Sequence, residues 1–198
     1  ALEVGVEPDA DALWSLVESK WHTLQFESAW QDRAGRRRGK ALVASMVDYL
    51  KDFESAGGEV IGREVNFDFQ IGQAQVRGQI DRIELLGDEV TIVDLKTGKK
   101  QFTADEAQNH VQLGLYQLAF TEGALSQLEG MPEDASLAGA KLLLVSPEKA
   151  NTRAQSSLES DAELDEKIRA AIEKATSGMS MSQSLFVAEI DNHCHNDQ

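Results

Sequence analysis

Two acids and one lysine occur in stretches whose apolar residues indicate burial. Asp94 and Lys96 lie in the run Ile-Val-Asp-Leu-Lys, and Asp81 lies in the run Gly-Gln-Ile-Asp, both rich in branched apolar residues. Gly87-Asp88 between the two runs is typical of a tight turn, so the sequence predicts a β-hairpin. Because side chains alternate between the two faces of a strand, Asp94 and Lys96 should share a face. An acid and a lysine would then be neighbours, with a second acid on the adjacent strand.

This arrangement has two interpretations. A buried carboxylate is costly unless it is paired or binds a metal. Two acids beside one lysine suit a divalent cation, with the lysine orienting or activating a water molecule. Alternatively, the hairpin lies at the surface and carries an ordinary Asp–Lys contact. The spacing alone leaves both interpretations open.

Three elements occur in the order of a known signature. Asp81 followed by Asp94-Leu95-Lys96 resembles the acid and the D-x-K parts of the PD-(D/E)xK nucleases. Gln112-Leu-Gly-Leu-Tyr116 resembles the Q-x-x-x-Y element of their RecB-type branch. The resemblance covers most of the chain and is closest over residues 64–120. The order is similar to that in the C-terminal nuclease domain of actinobacterial UvrD-like helicase–nucleases of the AdnAB or AddB kind.

The resemblance implies a fold and a site. The fold would be α/β, with a restriction-endonuclease-like mixed β-sheet core flanked by α-helices. Asp81, Asp94 and the Leu95 carbonyl would hold Mg²⁺ or Mn²⁺, which are hard cations that favour oxygen ligands. Lys96 would position the attacking water and stabilise charge at the phosphorus. The resemblance also implies two further catalytic residues, Gln112 and Tyr116, which share one helix face.

The implied activity is metal-dependent cleavage of DNA. The enzyme would be an exonuclease acting on single strands that an ATP-dependent helicase domain or subunit delivers during double-strand-break repair and recombination. One alternative is a non-catalytic, nuclease-like module that scaffolds a helicase complex. Another is a metal-dependent phosphoesterase for a small substrate, but that activity would give Gln112 and Tyr116 no reason to occur where they do.

Two features of RecB-type domains are missing. Their upstream Gly-x-x-x-His metal ligand has no counterpart, since His22 follows Glu-Ser-Lys-Trp. Many relatives also hold an iron–sulfur cluster on four cysteines, whereas this chain has one, Cys194, in a His-Cys-His tail. We therefore expect the chain to be part of a larger helicase–nuclease, with an iron–sulfur cluster possible only in the full-length protein.

Composition narrows the functional classes. The 198 residues are 41% hydrophobic, which suits one globular domain, and their formal net charge is −15. That charge argues against a free-standing, general nucleic-acid binder, because phosphate contacts need Lys and Arg. Other domains or subunits would supply most of the DNA affinity. With one cysteine, no long apolar run and no signal-like N-terminus, the sequence predicts a cytoplasmic protein without a membrane span.

The chain divides into a helical part over residues 1–58 and a nuclease core with a C-terminal helix and tail over residues 59–198. In the helical part, the run from Arg33 to Lys40 is densely basic. It is either a phosphate contact or a solvated helix face. The tryptophans are expected in the core or at an interface.

Residue patterns also predict the later elements. They comprise one helix over residues 103–121, a loop over 123–140, a strand over 141–146 and a helix over 161–177 that Gly178 ends.

Overall fold

The computed structural model describes residues 9–72, 74–98 and 100–180. Its N-terminal part is helical. The segments are helix α1 (Ala10–Lys20), a short 3-10 helix (Trp21–Thr23) and helix α2 (Ala29–Ser55). The Asp9 carboxylate caps α1 and the Ser28 hydroxyl caps α2, each accepting backbone N–H groups of the first turn. Such caps satisfy donors that a helix N-terminus leaves unpaired.

A five-stranded sheet with strands in sequence order follows. The strands are β1 (Gly58–Ile71), β2 (Ala74–Leu86), β3 (Glu89–Lys96), β4 (Ser136–Val145) and β5 (Ala150–Gln155). Neighbouring strands are antiparallel except β3 and β4, which are parallel. Parallel strands need a long crossover, and this one contains α3 (Ala104–Gln108) and α4 (Val111–Thr121). Helix α5 (Ala162–Ser180) comes last. The predicted α/β fold with a mixed, helix-flanked sheet is confirmed.

Helices pack on both faces of the sheet. On one face, α4 and α5 pack against the larger core, which includes Ile92 and Leu142. On the other face, α2 packs against Val93 and Leu143. Consecutive residues of β3 therefore point to opposite sides, as the alternation predicted. Within the ranges 9–72, 74–98 and 100–180, no helix combines the length and apolar character that crossing a bilayer would need.

Strand β2 changes face near Asp81. Ile80 and Ile83 are both fully buried in the larger core, although strict alternation would put them on opposite faces. On the neighbouring strand, Glu64 adopts a left-handed backbone with φ of 50°, which a non-glycine residue rarely does. Glu64 and Asp81 lie between the paired residues Arg63–Arg82 and Val65–Ile80 and are not themselves paired. Asp81 thus sits where the regular pleat of β2 is interrupted.

The prediction of one helix over residues 103–121 is wrong. Asn109 and His110 separate α3 from α4. The buried side chain of Gln155 accounts for the break, because its Nε2 donates to three carbonyl oxygens there, at 3.2, 3.0 and 3.0 Å, those of Ala107, Gln108 and His110. A side chain that bonds to backbone carbonyls offers them an alternative to a continued helical ladder. The Ala107 carbonyl also accepts from the His110 N–H at 3.1 Å, which closes a turn at the break.

Other element boundaries also differ from the prediction. Strand β4 begins at Ser136, inside the predicted loop, because its first residues pair with β3. Strand β5 was not predicted, since its sequence Ala-Asn-Thr-Arg-Ala-Gln has no apolar alternation and forms one edge of the sheet. Helix α5 continues past Gly178 to Ser180. The Cys194 tail lies outside the described residues.

Gly114 sets how closely α4 approaches α5. A Cβ atom at Gly114 would lie 2.5 Å from both Cδ1 and Cγ1 of Ile168, a residue of α5 that is 1% exposed. Glycine inside a helix costs about 1 kcal/mol relative to alanine. The close contact explains why the chain tolerates that cost in the middle of α4.

We predict that Gly114→Ala destabilises the protein. Overpacking a tight contact typically costs roughly 1–3 kcal/mol, which outweighs the gain in helix propensity of about 1 kcal/mol. Urea unfolding should show a lower midpoint for this variant. Gly98→Ala is the matched control, because its Cβ would meet nothing closer than 4.0 Å. Equal midpoints for Gly114→Ala and wild type would contradict the packing argument.

Candidate active site

The candidate site lies where strands β2 and β3 separate. Their paired residues end at Arg82 and Val93, so Asp81 and Asp94 are the first residues beyond the ladder. In place of a strand partner, the backbone N–H of Leu95 donates to Asp81 Oδ2 at 2.7 Å. The side chain of one acid therefore bridges to the strand that carries the other. This contact holds the two separating strands in a fixed relation.

Asp94 is buried and carries a negative charge into the sheet. Its exposed fraction is 2%, which excludes the interpretation of an ordinary surface contact. Lys96 Nζ lies 2.8 Å from Asp94 Oδ2, and this ion pair offsets the cost of burying the carboxylate. The ammonium does not approach with hydrogen-bonding geometry, and Oδ2 has no hydrogen-bond donor among the described residues. A buried carboxylate oxygen without a donor is uncommon and needs a reason.

A chain of polar contacts links β3 to α4. Lys96 Nζ donates to Gln112 Oε1 at 3.4 Å, and Gln112 Nε2 donates to the Tyr116 hydroxyl at 2.6 Å. Residues four apart on a helix share a face, so Gln112 and Tyr116 both reach the same side of α4. The structure thus brings Asp94, Lys96, Gln112 and Tyr116 into one contiguous set, with Asp81 joined through Leu95.

Buried amide side chains fix the position of α4. Gln117 is fully buried, and its Nε2 donates to Gln155 Oε1 at 2.9 Å and to the Ser156 carbonyl at 3.0 Å. Its Oε1 accepts from the backbone N–H of Leu158 at 3.1 Å. Because these buried polar groups are satisfied, they specify one orientation of the helix. That orientation directs Gln112 towards Lys96.

Tyr116 is held by packing as well as by Gln112. Its ring meets the Phe67 ring edge-on, with centroids 5.8 Å apart, and only 7% of the residue is exposed. Phe67 itself packs where Gly78 of β2 leaves room, since a Cβ there would lie 2.5 Å from the Phe67 ring. The hairpin β1–β2 therefore supports α4 from the far side of the site.

Comparison with known families adds a second kind of observation. The sequence model of the PD-(D/E)XK nuclease superfamily matches residues 3–195. The chain belongs to the PD-(D/E)XK nuclease superfamily. Members of this superfamily are generally nucleases that cleave phosphodiester bonds, and typically use divalent metal ions such as Mg²⁺. The mixed sheet with flanking helices is consistent with their restriction-endonuclease-like fold.

Other comparisons are less informative. No curated protein sequence matches the chain. Among solved structures, the one titled "Crystal structure of SSO0001" is similar, at 13% sequence identity and a TM-score of 0.36. That match covers 85% of this chain and 71% of the other.

The acids of the candidate site fit a hydrated divalent metal. In the described part of the chain, no group of three or more His, Cys, Asp or Glu residues is arranged to hold a metal ion. Mg²⁺, however, usually binds through one or two carboxylates and keeps several water ligands. Asp81 and Asp94 supply two carboxylates, and the buried Asp94 Oδ2 has no hydrogen-bond donor. The residues present therefore suit a cation that keeps part of its water shell.

His110 lies close to this set and was missed by the sequence analysis. It precedes α4 directly, its ring meets the Phe102 ring edge-on, and its buried Nδ1 has no hydrogen-bond partner among the described residues. Burial lowers the His110 pKa, the charge of Asp94 raises it, and Lys96 lowers it again. The available signal was its position two residues before Gln112 at the break between α3 and α4, and the sequence analysis predicted no break there.

A second buried charge cluster lies on the opposite face and was also missed. Glu84 is 2% exposed and accepts from Arg82 Nε at 2.6 Å and from the Tyr49 hydroxyl at 2.9 Å, and Lys141 Nζ lies 2.7 Å away. Every charged member is paired, as burial requires. This cluster joins α2, β2 and β4 behind the candidate site and contains none of the predicted site residues.

Both tyrosines of the chain should ionise late. Burial raises the pKa of Tyr116, an effect that the Gln112 hydrogen bond reduces and that the charges of Asp94 and Asp81 reinforce. Burial, and after it the charge of Glu84, raises the pKa of Tyr49. Phenolate absorbance should therefore not develop near pH 10 while the protein is folded, and a Tyr49→Phe variant isolates Tyr116. A phenolate signal with the ordinary tyrosine pKa in that variant would contradict the buried position of Tyr116.

The same shifts fix the sign of the alkaline stability change. A raised folded-state pKa means that the native state retains protons that the unfolded state loses. The contribution to stability is complete below about pH 10 and is lost as pH rises through the folded-state pKa. Urea midpoints measured from pH 8 upward should accordingly fall beyond pH 10.

Proposed function

We propose that this chain is a metal-dependent deoxyribonuclease whose catalytic residues are Asp81, Asp94, Lys96, Gln112 and Tyr116. One observation carries the proposal: Asp94 is buried at the end of β3, with one carboxylate oxygen lacking a hydrogen-bond donor and a lysine ammonium 2.8 Å from it. Folding stability alone gains little from a buried acid–lysine pair at the point where two strands separate.

Asp81, Asp94 and the Leu95 carbonyl would hold the metal, as Mg²⁺ or Mn²⁺. When bound, such a cation polarises the phosphate and lowers the pKa of a coordinated water. The hydrogen bond from Leu95 to Asp81 orients one carboxylate. Burial keeps bulk water away from the other, which strengthens its electrostatic interaction with a cation.

Lys96 would position the attacking water and stabilise negative charge that develops on the phosphate. Its ammonium lies between the Asp94 carboxylate and the Gln112 amide, at 2.8 and 3.4 Å. These contacts leave a flexible four-carbon side chain with fewer accessible positions. A preorganised cation needs little reorganisation when charge develops in the transition state. Gln112 and Tyr116 would restrain the lysine and form the wall of the site on the side of α4.

We propose further that the substrate is single-stranded DNA and that the chain acts as an exonuclease with a helicase domain or subunit in double-strand-break repair. The RecB-type spacing of Asp81, Asp94-Leu95-Lys96 and Gln112 to Tyr116 supports this assignment. The net charge of −15 supports it too, because a chain with so few cations benefits from a partner that delivers the strand.

A non-catalytic scaffold within a helicase complex is the second candidate. Its support is specific: the residues that the structure describes include no metal-holding group of three or more His, Cys, Asp or Glu residues, and the sequence lacks the upstream Gly-x-x-x-His ligand. The two candidates differ in whether hydrolysis occurs and whether it depends on Asp94.

We predict that Asp94→Asn abolishes metal-dependent cleavage of single-stranded DNA, because the amide removes the charge that would hold the cation. Lys96→Gln should lower the cleavage rate about 10²- to 10³-fold, the usual loss when one charge-stabilising donor is removed. The assay measures release of labelled nucleotides with Mg²⁺ or Mn²⁺.

The matched controls change the same charges elsewhere. Asp134→Asn and Lys174→Gln alter exposed residues and should cleave like wild type. Circular dichroism should establish that all four variants are folded. If Asp94→Asn cleaves as fast as Asp134→Asn, the site assignment is wrong. If wild type binds metal but leaves both DNA and small phosphodiesters intact, the scaffold function is favoured.

We also predict an Asp94-dependent metal site that is measurable without catalysis. Calorimetric titration of Mn²⁺ should show binding to wild type and to Asp134→Asn, and none to Asp94→Asn. Removal of metal with EDTA should stop cleavage, and added Mn²⁺ should restore it. Equal Mn²⁺ binding by the two Asp→Asn variants would mean that the metal binds elsewhere.

A further inference from the structure

A groove between α1 and α2 joins aromatic and basic side chains outside the candidate site. Its volume is about 420 Å³, and two tryptophans, four cations and one acid line it: Trp14, Trp30, Arg33, Arg36, Arg37, Lys40 and Glu18. We call it the α1–α2 groove. None of its residues belongs to the set around Asp94.

Trp30 is the exposed aromatic residue of this groove. Its exposed fraction is 66%, whereas Trp14 and Trp21 are 6% and 8% exposed. A single exposed aromatic side chain is common and by itself indicates nothing. Trp30, however, stands at the start of α2, with Arg33 one turn and Arg37 two turns further along the same helix. Side chains at such spacing lie on one face.

The groove is strongly basic in an acidic protein. Residues 33–40 contain five of the 19 Lys and Arg residues and no acid, in a chain of net charge −15. The two acids nearest the groove share one cation: Arg36 Nη1 lies 2.7 Å from Glu18, and Arg36 Nε lies 3.2 Å from Asp32. These three charges sum to −1, so the positive charge offered to a ligand comes from Arg33, Arg37 and Lys40. Arg37 forms no hydrogen bond or ion pair within the described residues and is exposed, so its charge is available to a ligand.

Two glycines of α2 allow close packing beneath this surface. Gly35 and Gly39 lie four residues apart in α2, and a Cβ at Gly39 would be 3.0 Å from the Trp14 ring. A Cβ at Gly35 would be 3.3 Å from the Trp21 ring. The two glycines let α1 and the 3-10 helix approach α2 closely, at the cost of helix propensity. The cations also sit on aromatic faces, with Arg36 5.2 Å from the Trp21 ring centre and Lys40 5.3 Å from that of Trp14.

The basic segment leads to the candidate active site. Arg38 Nη2 lies 3.5 Å from the carbonyl oxygen of Thr97, the residue that follows Lys96. From Trp30 to Arg38, helix α2 advances about 12 Å at 1.5 Å per residue. One end of the segment thus carries an exposed aromatic ring, and the other end reaches the residue beside the catalytic lysine.

We propose that the α1–α2 groove binds single-stranded DNA and directs it towards Lys96. Trp30 stacks on a base, and Arg33, Arg37 and Lys40 contact phosphates. Base stacking on aromatic side chains beside a positive groove is how proteins bind single strands without sequence preference. A duplex offers no free base face to Trp30, so binding should favour unpaired DNA. This inference rests on the proposed nuclease function, for which it names the path of the substrate.

Fluorescence anisotropy of a labelled 20-nucleotide strand tests the groove in EDTA, where no DNA is cut. Trp30→Ala should weaken binding by about 5- to 150-fold, the range for loss of one stacked base. Arg37→Gln should lower the slope of log affinity against log salt by about 0.7, the value for one phosphate contact on a single strand. Lys174→Gln makes the same charge change on α5 and should bind like wild type. Circular dichroism verifies that the variants are folded.

A second measurement uses the contrast among the three tryptophans. Trp14 and Trp21 are buried, so DNA added to wild type should quench the exposed Trp30 selectively. The quenching should be absent in Trp30→Ala and weaker with duplex DNA of the same length.

The outcomes separate this inference from the proposed function. If wild type cleaves DNA but Trp30→Ala and Arg37→Gln bind like Lys174→Gln, the groove proposal is overturned and the nuclease function stands. If wild type binds with the predicted Trp30 and Arg37 dependence but does not cleave, the nuclease function falls and the groove remains a strand-binding surface. Absence of DNA binding, or equal affinity for duplex, overturns the groove proposal and makes a protein partner the better occupant.

Discussion

The structure depends on a carboxylate buried at the point where two strands separate. Asp94 continues a strand whose other inward-facing residues are apolar, and its 2% exposure would be prohibitively costly without a nearby cation. Lys96, two residues on and on the same face, supplies that cation within the same strand. Because the pair is local in sequence, the sheet can carry it to the interior without any long-range partner. The surrounding elements then determine what else approaches the pair: Asp81 through the amide of Leu95, and α4 through Gln112.

Buried polar side chains lie on both faces of the sheet, and each group of them fixes the position of a helix or strand that supports the site. The Glu84 cluster on the α2 side, with Tyr49, Arg82 and Lys141, joins the long N-terminal helix to the central strands. On the α4 side, Gln155 donates to the backbone carbonyls of Gln108 and His110 at the break between α3 and α4, and Gln117 donates to Gln155. Apolar packing alone tolerates small rotations of a helix, whereas a satisfied buried amide allows few. The geometry of the site therefore depends on polar residues that do not touch it.

The part of this architecture that the sequence predicted was the part with periodic apolar patterns. The alternation of β3 separated Ile92 from Val93 correctly, and the acid–lysine pair was predicted on the proper face. Strand β5 escaped prediction because an edge strand with polar residues shows no apolar period. The break at Asn109 and His110 escaped because the side chain that stabilises it, Gln155, lies about 45 residues away in the chain. The proximity of His110 to Asp94 escaped for the same reason. Contacts of this kind depend on tertiary position, which local patterns do not encode.

The distribution of charge bears on how an acidic protein can handle DNA at all. Electrostatic attraction between exposed charges is screened beyond roughly 8 Å at physiological salt. A strand on the α1–α2 groove therefore interacts mainly with the four cations that line it and only weakly with acids on other faces. The nearest acids, Glu18 and Asp32, are both paired with Arg36, which reduces the local repulsion. Net charge then governs how DNA is steered towards the protein from a distance, whereas the local field governs the affinity of the bound complex. In the proposed path, the net charge of −15 disfavours binding of nucleic acid elsewhere on the protein, and the cations of the groove retain the strand on the side that leads to Lys96.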